Sequence, residues 1–214
     1  MGDEVGHDAR GPRRVLADVA AAKGVSDQRV LHAMRNVRRS GFVPPDYVDA
    51  AALDEPVPIS HDQVTTQPSL VAAMVEALEL AGDELVLEIG TGLGYQTALL
   101  AQLARFVWSV EWWPDLASAA RANLAAAGIG NVEVVTGDGR QGLPEHAPFD
   151  GIIVSAAFPR VPPLLVEQLD HAGRLIQPIG PGGDEEVIAF QKHNDDLRQL
   201  RVITLARFVP LIGT

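Results

Sequence analysis

The chain has 214 residues and no cysteine, and its 28 acidic against 17 basic residues give a net charge of −11. That length suits one α/β domain with a small N-terminal extension, large enough to bury a core without staples. The missing thiols exclude disulfides, Cys-ligated zinc, iron–sulfur clusters and thiol nucleophiles, and the acidic balance argues against duplex nucleic acid and anionic membrane surfaces as partners.

Residues 1–12 hold three glycines and a proline without periodicity and read as a flexible tail. They lack the apolar run of a secretory signal, and no later stretch approaches the ~20 apolar residues of a membrane span, so a cytoplasmic protein is expected. Ser26 opens a helix in which Val30, Met34 and Val37 recur at helical spacing, and Gly41 ends it. Four prolines between Pro44 and Pro58 predict an ordered loop, with one helical turn near Asp46–Ala52. Leu70, Val71, Met74, Ala77 and Leu78 form a helical stripe that stops at Gly82.

Strands and helices then alternate. Glu84–Ile89, Phe106–Val110, Val132–Thr136, Gly151–Ser155 and Arg174–Ile179 are apolar strand runs, with helices over Tyr95–Ala104, from Pro114 to a Gly128 cap, and over Pro163–Leu169. Val187–Gln191 and Val202–Phe208 form a closing hairpin whose place in the sheet periodicity leaves open. Unbroken apolar strands separated by helices predict a doubly wound, mostly parallel sheet covered on both faces. Ligands of such sheets lie beyond the carboxyl ends of the strands.

The residues at those ends are chemically distinctive. The first strand runs into Gly90-Thr91-Gly92-Leu93-Gly94, a turn whose backbone can approach a ligand closely. Glu88 is an acid inside an apolar strand, costly there without a partner. Glu111 ends the second strand 19 residues after Gly92, where an acid can accept both hydroxyls of a ribose. Asp138, between Gly137 and Gly139, can accept the exocyclic amine of an adenine, or simply form a turn. Trp112 is a candidate for the adenine face, with ordinary packing at a helix start as the alternative.

Together these features resemble the S-adenosylmethionine site of the Rossmann-like methyltransferases. In that resemblance Glu88, Gly90, Thr91, Gly92 and Gly94 hold the methionine part, Glu111 the ribose, and Asp138 with Gly139 the adenine. Gly41-Phe42-Val43-Pro44, Pro56-Val57-Pro58-Ile59, Gly137-Asp138-Gly139 with Ala147-Pro148-Phe149-Asp150, and Arg207-Phe208-Val209-Pro210-Leu211 with Gly213 narrow it further. In order and spacing they are similar to the protein-L-isoaspartate O-methyltransferase family, from about residue 29 to the C-terminus.

The resemblance implies a Rossmann-like seven-stranded fold with a helical N-terminal extension. Its division is a tail over 1–12, an extension and substrate loop over 13–82, and a methyltransferase domain over 83–214, all one compact unit. The implied reaction moves the methyl of S-adenosylmethionine to the α-carboxylate of isoaspartyl residues in proteins or peptides, leaving S-adenosylhomocysteine. It needs no metal, and a monomer is favoured. The chain departs from the family's P-I-G-x-G-Q-T-I-S-A-P-H loop: Ser60 and Asp62 replace its glycines, Val64 its threonine, Thr66 its serine and Ser69 its histidine. Thr66 is therefore expected to orient the attacking carboxylate, with Thr65 as its rival and a helix N-cap as the plainer alternative. Ile59, Gln63, Val64, Val209, Pro210 and Leu211 are expected to line the peptide site, the last three clamping it through their backbone. His61 and Asp62 could form an acid/base pair, but such loop residues are more often solvated. The other readings are a carboxyl methyltransferase acting on aspartate of a modified peptide or another acid, and a nucleotide-binding module without catalysis or a nicotinamide oxidoreductase.

Overall fold

The computed structural model describes residues 11–181, 183–194 and 196–213. Its helices are α1 (Gly11–Ala22), α2 (Gln28–Asn36), α3 (Pro68–Ala77), α4 (Tyr95–Ala101), α5 (Pro114–Ala126) and α6 (Pro163–Gln168). Its strands are β1 (Leu85–Ile89), β2 (Phe106–Glu111), β3 (Val132–Thr136), β4 (Phe149–Val154), β5 (Leu169–Ile179), β6 (Glu185–His193) and β7 (Asp196–Ala206). They form one sheet in the order β3-β2-β1-β4-β5-β6-β7. The first five pair in parallel, and β6 and β7 close the sheet antiparallel. The hairpin is thus placed: β6 lies against β5, and β7 is the outer strand.

Alternation along the strands divides the core into two layers. Val86, Ile153 and Ile176 pack on one face with Ala98 and Leu100 of α4, Ala117 and Leu124 of α5, and residues of α1–α3. Leu87, Ile89, Ile152, Val154 and Leu175 pack on the other with Leu165 of α6 and with Leu143 from the loop before β4. The N-terminal helices therefore share a core with the sheet. No helix among the described residues is long and apolar enough to cross a membrane.

Several boundaries differ from the sequence reading. Residues 1–10 of the expected tail lie outside the described residues, but α1 already begins at Gly11. It forms because Leu16, Ala17 and Ala20 bury one face. The cap of α2 is Asp27 rather than Ser26, since the Asp27 carboxylate accepts from Arg29 N at 2.8 Å. That helix ends at Asn36, and a separate 3-10 turn spans Arg39–Phe42. The change of phase buries Arg39, with consequences described below. At the other end, Phe208 leaves the edge strand because its N–H donates to Glu185 Oε2 at 2.9 Å.

Candidate active site

β1 is the switch point of the sheet, with β2 on one side and β4 on the other. The chain leaves it through Gly90 (φ 91°) and Gly94 (φ 95°), conformations that favour glycine. Glu88 stands behind this turn, fully buried, level with Ser109 of β2. Its carboxylate accepts from Gln96 Nε2 at 2.9 Å, Thr97 Oγ1 at 2.5 Å and Ser109 Oγ at 2.6 Å. Thr91 Oγ1 lies 2.6 Å from Ser109 Oγ and extends the network. Burial pushes the Glu88 carboxyl up to about 7 against the opposing pull of these donors. Glu88 was expected to touch the ligand. It instead faces α4 and fixes the turn from behind, outside the lining of the cavity.

That cavity lies beyond the carboxyl ends of β1, β2 and β4, with an open volume of about 900 Å³ including its mouth. Gly90, Thr91, Gly92, Glu111, Trp112 and Gly139 all line it. Glu111 Oε2 accepts from Gly92 N at 2.8 Å, and Oε1 from Trp113 N at 3.0 Å. One carboxylate so ties the loop after β1 to the loop after β2, and each oxygen keeps a further acceptor site. Burial raises the Glu111 carboxyl. Gly139 permits a close approach, since a Cβ there would sit 2.3 Å from Ile89 Cγ2. Its neighbour Asp138 is placed differently from expectation. Its carboxylate accepts from Arg140 N at 3.0 Å and pairs with the Arg140 guanidinium at 3.0 Å, so Gly139 is the member of the pair on the cavity wall.

The opposite wall comes from the loop before α3 and from the C-terminal segment. Pro58 and Val64 form an antiparallel bridge, closed by Ile59 N donating to Gln63 O at 2.9 Å. At its tip His61 (φ 61°) and Asp62 (φ 55°) occupy the left-handed region. His61 does not pair with Asp62. Its ring stacks on Trp113 at 3.9 Å, and its Nε2 lies 2.8 Å from Asp115 Oδ1, which clasps the loop to the start of α5. That bond holds the Asp115 carboxyl below its ordinary value.

Ile59, Gln63, Val64, Thr65 and Thr66 line the cavity. Thr66 is not the helix cap: the N-cap position is Gln67, and the Asp54 carboxylate caps α3 by accepting from Ser69 N at 2.7 Å. The Thr65 hydroxyl accepts from Val57 N at 3.0 Å and from Arg39 Nη2 at 3.1 Å. Val209, Pro210 and Leu211 complete the wall. Val209 O and Leu211 N are both bonded to Ala157 at 2.8 Å, so this backbone is fastened to the end of β4.

Among the polar residues of the cavity, three were not expected in the site. Gln96 donates to Glu88 and, at 2.9 Å, to Ser155 Oγ, which leaves its Oε1 buried without a partner. Tyr95 also lines the cavity, with its hydroxyl buried and unpartnered. Ser155 follows β4 directly. The rule that ligands lie beyond strand ends could have flagged Ser155, whereas Tyr95 and Gln96 read as ordinary helix residues.

Residues 13–214 match the family model described as protein-L-isoaspartate(D-aspartate) O-methyltransferase. The chain is 47% identical over 200 residues to a protein-L-isoaspartate O-methyltransferase of Myxococcus xanthus, covering 92% of this chain and 94% of that one. It is 48% identical over 196 residues to one from Methanoculleus marisnigri, covering 90% and 87%. A solved protein-L-isoaspartate O-methyltransferase superposes with a TM-score of 0.84 at 30% identity; 94% of this chain is covered, and it spans 66% of that protein's length. A Plasmodium falciparum structure determined with S-adenosyl-L-homocysteine shares the fold, with a TM-score of 0.80 at 23% identity over 94% and 98% of the two chains.

Proposed function

The chain belongs to the protein-L-isoaspartate O-methyltransferase family, and from that premise we propose that it transfers the methyl group of S-adenosylmethionine to the α-carboxylate of L-isoaspartyl residues in proteins or peptides, the first step of their repair. The observation that carries this reading is one cavity with two chemically different walls. The β1 and β2 loops present a glycine turn and an acid, suited to a nucleoside with a charged amino-acid arm. The facing loop presents hydroxyls, suited to a carboxylate.

The residues fit the cofactor. The orphaned Gln96 Oε1 is a buried acceptor with no partner, as an ammonium donor would require. The glycine turn and Gln96 would hold the methionine arm, Glu111 the ribose, and Trp112 with Gly139 the adenine. S-adenosylmethionine supplies a methyl group already activated on a sulfonium. The protein then has little chemistry to perform. A carboxylate of pKa about 4 is ionised at neutral pH and needs no general base. Thr66 donates a hydrogen bond that orients it, and Ile59, Val64 and Leu211 exclude water from it.

The test is methyl transfer to an isoaspartyl peptide and to its aspartyl twin. Transfer to the first alone is expected. Equal rates, or none on either, overturn the assignment, and transfer to another acid alone points to the altered Ser60–Asp62 turn as a change of substrate.

The clasp at His61 gives a second prediction. An exposed contact of this kind adds little to global stability, so His61→Ala should barely move the melting temperature. Freed from α5, the Ile59–Gln63 turn should release S-adenosylhomocysteine about two to five times faster, on the scale of one lost exposed contact. An unchanged dissociation rate would show that the turn does not gate the cofactor.

A further inference from the structure

Arg39 is 3% exposed, and no salt-bridge partner occurs for it among the described residues. Its guanidinium donates instead to neutral oxygens: Leu53 O and Glu55 O at 2.8 Å each, Ala51 O at 3.4 Å and Thr65 Oγ1 at 3.1 Å. The acid that acts on it through space, Asp54, is already committed, to Lys23 Nζ at 2.8 Å, Ser69 Oγ at 2.7 Å and Gln67 Nε2 at 2.9 Å. Arginine stays protonated even when buried, so a full positive charge is held inside the protein without a hydrogen-bonded countercharge. Such a charge is costly.

Its outlet is Thr65. The Thr65 oxygen has two lone pairs, and both are taken, one by Arg39 and one by Val57 N. The only bond left for this hydroxyl is one in which it donates, and Thr65 lines the cavity. A donor that is itself accepting from a cation is polarised and strengthened. Tyr95 stands beside it: the Arg39 Cζ lies 6.0 Å from its ring centroid, it lines the cavity, and its buried hydroxyl has no partner. One end of the cavity therefore gathers two hydroxyls around a fixed positive charge.

We propose that Arg39 is the built-in countercharge for the substrate's α-carboxylate and acts on it through the Thr65 hydroxyl, with the Tyr95 hydroxyl as a second donor. This rests on the isoaspartyl reading and explains how a chain of net charge −11 admits an anion beside Glu111. Surface charges are screened within about 10 Å in salt, whereas a buried cation is not. Arg39 is a positioning residue, and Thr65 meets the substrate beside Thr66.

The experiment compares two ligands on protein saturated with S-adenosylhomocysteine: an isoaspartyl peptide, and the same peptide with its α-carboxyl converted to the carboxamide. Calorimetry gives both affinities for wild type, Arg39→Gln, Arg39→Lys, Thr65→Val, Thr65→Ser and Tyr95→Phe, with melting temperature and S-adenosylhomocysteine affinity as measures of folding. Wild type should prefer the carboxylate. Arg39→Gln and Thr65→Val should cut that preference about tenfold or more, as for a lost hydrogen bond to a charged group, and Tyr95→Phe by a smaller factor. Arg39→Lys and Thr65→Ser should retain it within about threefold, because charge and hydroxyl survive. A purely structural Arg39 would weaken both peptides by the same factor, and that result overturns the proposal. So does an unchanged preference in Thr65→Val. If Arg39→Gln fails to fold, the Thr65→Val and Thr65→Ser pair decides alone. A wild type that binds isoaspartyl and aspartyl peptides equally sinks the functional reading instead, and this inference with it.

Discussion

Glu111→Leu is expected to weaken S-adenosylhomocysteine binding by about a hundredfold or more, measured by calorimetry, while the protein remains folded. The side chain joins two loops, through Gly92 N at 2.8 Å and Trp113 N at 3.0 Å. Both are hydrogen bonds to a charged acceptor, worth about 1.5–3 kcal/mol each. Leucine removes both and leaves two amides facing the cavity without partners. It also removes the acceptor proposed for the ribose hydroxyls. Global stability should fall as well, by less than the sum of those two bonds. Burial raises the Glu111 carboxyl, so holding its charge carries a cost that leucine relieves. Glu111→Gln should fall between, since its amide oxygen serves one loop amide and its NH2 cannot serve the other. Wild-type affinity in Glu111→Leu would remove this residue from the cofactor site.

This acid was legible in the sequence because strand ends in a parallel sheet are the places where ligands lie, and an apolar run ending in Glu is conspicuous. The glycine turn and the strands were legible for similar reasons, while the hydroxyls at Thr65 and Thr66 came from the resemblance to the family's loop. What escaped depends on side-chain direction. Glu88 looked like a ligand contact because the resemblance gives that role to an acid just before the glycine turn, but its pleat position turns it toward α4, where Gln96 and Thr97 meet it. Asp138 looked free, yet a turn brings Arg140 back onto it. Arg39 was hidden beside Arg35 and Arg38, within a stretch that read as one helix running to Gly41. Only the break at Asn36 and the following 3-10 turn rotate it inward, and no periodicity announces that break.

The largest stability effects should centre on Glu88 and should depend on pH. Its carboxyl is raised from 4.5 to about 7, chiefly by burial. Between those values the folded protein holds a proton that the unfolded chain has released. Stability therefore falls as pH rises from about 4.5 to about 7, and the gap corresponds to about 3 kcal/mol. The sign is opposite to that of an ion-paired carboxylate. Glu88→Gln is neutral at every pH and close in size, and its amide can meet the rotatable hydroxyls of Thr97 and Ser109. Urea unfolding of wild type and Glu88→Gln at pH 5, 6, 7 and 8 should show wild type losing stability relative to the variant across this range. Other titrating groups are common to both proteins and cancel in the difference. A constant difference from pH 5 to 8 would mean that Glu88 stays ionised throughout, with its three donors outweighing burial. Glu88→Leu separates charge from hydrogen bonding. It strands Gln96 Nε2 and the hydroxyls of Thr97 and Ser109 in a dry interior, so it should cost about 3–5 kcal/mol at pH 5, where wild type is most stable, and less as pH rises toward 7. It should also free the Gln96 amide to rotate, so that its oxygen no longer points one way. Cofactor affinity should then fall in Glu88→Leu even at temperatures where the variant is fully folded, although Glu88 itself does not line the cavity.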